Sequence, residues 1–153
     1  MNTSDHPRYV RPNRFTQHVF NRLIARLTRL GLSVWGSRVL EVKGRTSGRS
    51  RFTPVNVLTV DGQRYLVAPR GTTEWVRNAR VAGTVRLHLG RKVEEVALAE
   101  LSDDAKPALL RAYLLRWKWE VGQFFDGVGP DATDEQLANI APDYPVFRLS
   151  PAG

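Results

Sequence analysis

The sequence predicts an α+β domain: an antiparallel sheet or barrel of five or six short strands, with helices at its edges. Two observations carry this prediction. Strand-like runs follow one another through residues 38–101, and most of their connections are turns too short for a parallel crossover. Around and between them lie segments whose apolar residues recur at helical spacing and which open on capping residues.

The elements can be justified in chain order. Residues 1–12 are polar, include Pro7 and Pro12, and read as a loose arm. A helix is expected over 13–31, because Phe15, Val19, Phe20, Leu23, Ile24, Leu27 and Leu30 share one side. Arg22, Arg26 and Arg29 occupy the other, and Gly31 is a natural stop. No acidic residue lies between Asp5 and Glu41. An acid-free, arginine-rich helix covers its own domain's core, lies on a membrane surface, or belongs to a transit peptide.

A strand over 38–42 leads into a glycine- and arginine-rich turn, and a second strand over 52–60 ends at Asp61-Gly62, a strong hairpin signal. A third strand follows over 63–68. "TTEWVRNARVAG" then reads as a short helix capped by Thr72 or Thr73 and ended by Gly83. Residues 84–89 alternate Val85, Leu87 and Leu89, turn at Gly90-Arg91 and return over 93–101. Ser102-Asp103-Asp104 opens a longer helix, with Pro107 near its first turn and Leu109, Leu110, Tyr113, Leu114, Trp117 and Val121 on its apolar face. Thr133 and Gln136 form a capping box for one more helix, and 145–149 is the last strand. Neither an internal repeat nor a linker interrupts the chain, so residues 1–153 read as a single domain.

Composition removes several classes of chemistry. With no cysteine there is no disulfide, thiolate metal site or cysteine nucleophile, and His6, His18 and His88 have no zinc-site spacing; no metal is expected. No apolar run is long enough to span a bilayer, which suggests a cytoplasmic protein, membrane-associated only if the first helix touches lipid. The net charge of +8 points to anionic company, and 19 of the 23 basic residues are arginine, whose planar fork suits phosphate and carboxylate. Nucleic acid is a poor fit, because the arginines are spread along the chain and the aromatics fall on a helix face instead of a strand platform.

Chemistry concentrates in three stretches. "GRTSGRSR", residues 44–51, supplies flexible backbone, hydroxyl donors from Thr46 and Ser47, and the charges of Arg45, Arg49 and Arg51. It lacks the Gly-Lys-Ser/Thr ending of a nucleotide phosphate loop, and a strand follows where that motif has a helix. It reads either as an anion nest or as an arginine-decorated turn. "VAPRGTTEWVRNAR", residues 67–80, is a strand-to-helix corner where Arg70, Trp75, Arg77 and Asn78 can meet a flat polar ligand, or where Trp75 is core. In "RAYLLRWKWEVGQFFDG", residues 111–127, Tyr113 and Trp117 share a face that is core or lines a pocket, with Tyr113 as candidate proton donor. No histidine has a recognisable carboxylate partner, so a bound cofactor is the economical source of reactivity.

Residues 40–83, "LEVKGRTSGRSRFTPVNVLTVDGQRYLVAPRGTTEWVRNARVAG", resemble the deazaflavin-dependent nitroreductase family of actinobacteria. The resemblance lies in the Gly-Arg-x-Ser-Gly turn, Arg51-x-x-Pro54, the Gly62 hairpin, the strand ending near Gly71 and the Trp…Arg-Asn helix. It extends to the basic first helix and to "YPVFRLSP". It implies a split β-barrel that holds coenzyme F420, whose deazaflavin carries a phosphate and a polyglutamate tail. On that reading Arg45, Thr46, Ser47, Gly48 and Arg51 hold the phosphate. Thr53, Pro54, Val55 and Asn56 pass beside the ring, and Ala68, Pro69, Arg70 and Gly71 meet its other edge, with Trp75, Arg77 and Asn78 behind.

The implied activity is hydride transfer from the reduced cofactor to an electron-poor quinone, enone or nitro compound, placed near Tyr113 and Trp117. The alternatives are an FMN reductase and a non-catalytic flavin- or lipid-binding barrel. Two departures from the family pattern stand out: "GTTEW" is shorter than the corresponding segment of many members, and the substrate-binding tyrosines have no clear match. Oligomeric state is not readable from the chain.

Overall fold

The computed structural model describes residues 37–125 and 127–152. The expected arm over 1–12 and helix over 13–31 lie outside the described residues.

Six strands form a closed antiparallel barrel: β1 (Ser37–Lys43), β2 (Ser50–Val60), β3 (Gln63–Val67), β4 (Thr84–Leu89), β5 (Lys92–Glu100) and β6 (Val146–Pro151). Their order around the barrel is β1-β2-β3-β6-β5-β4, with β4 returning to β1. Three of the connections are hairpins, as the turn residues demand. Asp61 and Gly62 both have positive φ, 52° and 77°, the two-residue turn that matches strand twist. Every sequence-predicted strand is present within about two residues, the ordinary uncertainty of strand ends.

Alternation along the strands sends Leu40, Val42, Val57, Leu66, Val85, Leu87, Val96, Phe147 and Leu149 into one cluster. Helix α1 (Glu74–Ala82) packs against β1 and β4 and adds Val76 and Ala79 to that cluster. Thr73 caps it without a side-chain hydrogen bond, and Gly83 ends it in the left-handed conformation at φ 76°.

Helices α2 (Pro107–Val121) and α3 (Asp134–Ile140) build a second cluster on β2, β3 and β6, around Leu58, Val67 and Val146. Tyr113, Leu114, Trp117 and Phe125 are at most 1% exposed there, and the Phe125 ring stacks on Tyr144 at 4.3 Å. Each such ring or Leu side chain contributes about 1.5–3 kcal/mol by leaving water.

The predicted opening of the long helix is corrected. Asp103–Ala105 form a separate 3-10 turn, and the α-helix starts afresh at Pro107. Proline has no N–H to continue a helix but fits its first position. The capping box of α3 is as expected: the Thr133 hydroxyl accepts from the Gln136 N–H, and the Gln136 side chain accepts from the Thr133 N–H.

Candidate functional site

The candidate site is built from the β1–β2 turn, the first half of β2, the corner after β3, and α1. Antiparallel register decides which of these meet. β1 ends at Lys43 and β3 at Val67, so the turn and the corner emerge at the same end of the barrel. α1 lies at that end too, reaching from the corner to the start of β4.

Between turn and corner the sheet is split. β2 pairs with β3 only from Val57 to Val60, whereas residues 50–56 pair with β1 alone among the described residues. The chain leaving β3 turns away, with the Ala68 N–H donating to the Pro145 carbonyl at 2.9 Å. About half of the backbone donors and acceptors of 50–56 therefore point off the ladder, toward the gap. Pro54 lies in this stretch, where its missing N–H disrupts no β3 ladder.

The turn is folded tightly on itself. Gly44 N–H donates to the Arg49 carbonyl at 2.8 Å, Gly48 N–H to the Gly44 carbonyl at 2.9 Å, and Arg49 N–H to Ser47 Oγ at 3.1 Å. A Cβ on Gly44 would come within 2.8 Å of Ser47 Oγ, and Gly48 has φ 72°, so both glycines are needed by the shape. The remaining N–H groups, of Thr46 and Ser47, carry no bond to the described residues.

Arg45 is not among the unbonded donors. Its N–H and its Nη1 both donate to Asn78 Oδ1, at 3.0 and 2.8 Å, and Nη1 also meets Glu74 Oε1 at 2.9 Å. Glu74 Oε2 accepts from Arg77 Nη1 at 3.1 Å. The Arg45 guanidinium beside Glu74 holds that carboxyl below the usual carboxylate range, with Arg77 adding to the effect. Arg49 and Arg51 are exposed and have no ion-pair partner among the described residues. The nest expected from the sequence is thus half consumed by the fold, and the cations left for a ligand are Arg49 and Arg51.

At the corner, Ala68 is buried, Pro69 and Gly71 are half-buried, and Arg70 is exposed with its guanidinium 5.8 Å from the Phe124 ring centre. Gly71 has φ 83° and donates to the Ala68 carbonyl, closing the corner. Thr73 Oγ1 is buried there without a hydrogen-bond partner among the described residues. Trp75 packs on Phe147 at 5.9 Å, so its indole belongs to the barrel core's margin. Thr53, Pro54, Val55 and Asn56 are all half-buried along the split edge, and Val55 also touches the barrel core.

Tyr113 and Trp117 are not brought to this site. Their rings lie 5.0 Å apart inside the α2–α3 cluster, each 1% exposed. The helical face that carries them is core, and in this arrangement neither ring opens onto a surface where an acceptor could sit.

One cluster escaped the sequence reading. His88 Nε2 lies 2.8 Å from Glu41 Oε1, both residues being buried, and Glu41 Oε2 accepts from Ser50 Oγ at 2.8 Å and from Arg86 at 3.4 Å. Burial alone would push the Glu41 carboxyl up, but the hydrogen bonds from His88 and Ser50 and the charges of His88 and Arg86 outweigh it. The net result is a carboxyl below its ordinary value. The serine is bonded to the acid and not to the imidazole, so this is not the order of a hydrolytic triad. The alternation of β1 and β4 was the available signal: Glu41 and Arg86 are cross-strand partners, with His88 diagonal to them.

Beside the turn, between β4 and the end of α1, the surface sinks into an open pocket of about 380 Å³. Lys43, Arg45, Arg86, Glu41 and Glu95 are among the residues that line it. Among the described residues no His or carboxylate cluster could hold a metal ion, and no helix is long and apolar enough to cross a membrane.

Comparison with known proteins fits this geometry. Residues 14–121 match the family model described as F420H(2)-dependent quinone reductase. Among solved structures, an F420-H2 dependent reductase (FDR-A) superposes with a TM-score of 0.52 at 18% identity, covering 75% of this chain and 94% of that one. A protein described as a domain-swapped dimer gives 0.53 at 18%, covering 89% and 97%. A putative pyridoxamine 5'-phosphate oxidase from Listeria innocua gives 0.50 at 11%, covering 88% and 94%. At these identities the structural likenesses establish the split-barrel fold alone. No curated protein matches the chain.

Proposed function

The chain belongs to the F420H(2)-dependent quinone reductase family, and from that premise we propose that it reduces a quinone with reduced coenzyme F420 held across the barrel split. It is an oxidoreductase by family, and coenzyme F420 is the family's cofactor. Enones and nitro compounds are further acceptors of the same electron-poor kind, and a nitroreductase activity belongs to the same proposal.

The observation that carries the reading is the split itself. Residues 50–56 of β2 pair with β1 but not with β3, and Arg49 and Arg51 at their start have no ion-pair partner among the described residues. A flat heterocycle with an anionic tail needs both: backbone groups to hydrogen-bond a ring edge, and cations at one end of it. The residues present fit. Arg49, Arg51 and the N–H groups of Thr46 and Ser47 would hold the phosphate, and Gly48, with open space where a Cβ would be, leaves the backbone approachable. Thr53, Pro54, Val55 and Asn56 would run along the ring, with Ala68, Pro69, Arg70 and Gly71 at its far edge. Trp75, Arg77 and Asn78 support that end from α1, and Arg45 serves by fixing the turn.

When bound, the cofactor supplies a hydride, and a quinone that accepts it with one solvent proton leaves as the hydroquinone. The protein's own part is placement, exclusion of water and charge. A solvent proton suffices, so the burial of Tyr113 does not obstruct the reaction. A further part of the proposal, resting on the basic character of residues 13–31, is peripheral contact with a membrane where lipophilic quinones are found.

Fluorescence titration with oxidised F420 beside FMN, followed by turnover of reduced F420 with a quinone series, tests the reading. Selective F420 binding with quinone turnover supports it. Tighter binding of FMN, or quinone turnover indistinguishable from the uncatalysed rate, sinks it.

A further inference from the structure

The arginine turn carries its own counter-anion. Glu74, at the first position of α1, holds Arg45 with one carboxylate oxygen at 2.9 Å and Arg77 with the other at 3.1 Å. One carboxylate is thereby shared between two of the five arginines, Arg45, Arg49, Arg51, Arg70 and Arg77, placed at this end of the barrel.

The two partners of Arg45 differ in kind. Asn78 is 4% exposed and takes both the backbone N–H and the guanidinium, so it fixes the turn to α1. The Glu74 side chain is 71% exposed, and rotation of its own torsions returns it to water. Releasing Glu74 leaves the Asn78 bonds in place. Glu74 therefore adds little to the shape of the turn and much to its charge.

Resting on the reading of this site as the seat of F420, we propose that Glu74 is a specificity-determining residue: its charge offsets that of the arginine turn that a polyanionic ligand would meet. It weakens binding more for each added negative charge on the ligand, because a fixed anion repels every such charge within a Debye length. The hydrogen bond from Arg45 keeps Glu74 ionised near neutral pH, so this opposing charge is constant in that range.

The test compares the full chain with Glu74→Gln and with Glu100→Gln. The second variant removes the same charge from a different ion pair, Arg80–Glu100 at 2.7 Å. Oxidised F420 is titrated by fluorescence at low and at high salt. Glu74→Gln is expected to bind about two- to fivefold more tightly at low salt, the worth of one or two exposed ion pairs. The gain should fade at high salt, and Glu100→Gln should match the parent. Equal or weaker binding by Glu74→Gln, or an equal gain in Glu100→Gln, overturns the proposal.

If the parent chain does not bind F420, the cofactor reading fails on its own. Inorganic pyrophosphate, titrated into the same three proteins by calorimetry, then decides the role of Glu74. Tighter binding by Glu74→Gln alone upholds it, and equal or absent binding in all three removes it.

Discussion

Asn78 Oδ1 accepts two hydrogen bonds from the same residue, the backbone N–H and the guanidinium of Arg45, at 3.0 and 2.8 Å. A buried amide on a helix thus holds a surface turn 33 residues away. Replacing it removes both bonds and leaves the Arg45 N–H facing a cavity. Asn78→Ala is expected to cost about 1–3 kcal/mol of stability in urea unfolding, and to weaken F420 binding as well. A stable variant with unchanged binding would show that the turn holds itself.

Arg45 and Arg51, which look alike in the sequence, should behave differently. Arg51 has no partner in the described protein, so Arg51→Ala should leave the melting temperature unchanged while costing about 1.5–3 kcal/mol of F420 affinity, one charge-assisted contact. Arg45→Ala should lower both stability and affinity, since it ties the turn to α1. Thermal melts and titrations on the pair separate ligand from scaffold. Matching profiles for the two variants would refute the division.

Gly44 leaves no room for a methyl group, with Ser47 Oγ only 2.8 Å from where its Cβ would be. Gly44→Ala should distort the turn at a cost of about 1–3 kcal/mol. Affinity for F420 should fall with it. Adding Ser47→Gly removes the clashing oxygen, and the double variant should recover part of the lost stability.

The Glu41 carboxyl lies below its ordinary value of 4.5 in the folded chain. A depressed carboxyl contributes stability that is complete above the unfolded value and is lost as pH falls through the folded one. Glu41→Gln should therefore be less stable than the parent at pH 7, by about 1–3 kcal/mol for a buried charge-assisted network. The gap should narrow once pH drops below about 4.5. Urea midpoints measured at a series of pH values would show it, and a gap independent of pH would remove Glu41 as the cause.

The strands, the Asp61-Gly62 hairpin and the Thr133 capping box were legible because their causes are local: alternation, positive φ and a three-residue spacing. The basic, donor-rich character of 44–51 was legible as composition. What composition hides is the destination of each donor. Arg45 is spent on Asn78 and Glu74, 33 and 29 residues away, and Glu41 on His88, 47 residues away. Such pairings exist only once the barrel sets its register. Tyr113 and Trp117 show the opposite limit: helical periodicity says that a face is apolar, but core and pocket lining have the same period.

The position of β6 has a bearing on how the chain is made. β6 is inserted between β3 and β5, which precede it by many residues. While the polypeptide is being synthesised, β1 to β5 are complete long before residues 146–151 leave the ribosome, and the barrel stays open along two facing edges. Those edges present unpaired N–H and carbonyl groups that invite pairing with any neighbouring nascent chain. The last strand therefore acts as a closing stave, and the interval before its arrival is when the newborn protein most needs chaperone cover. Ribosome-bound chains ending before residue 146 should be protease-sensitive throughout the barrel, and those with β6 fully emerged should be resistant.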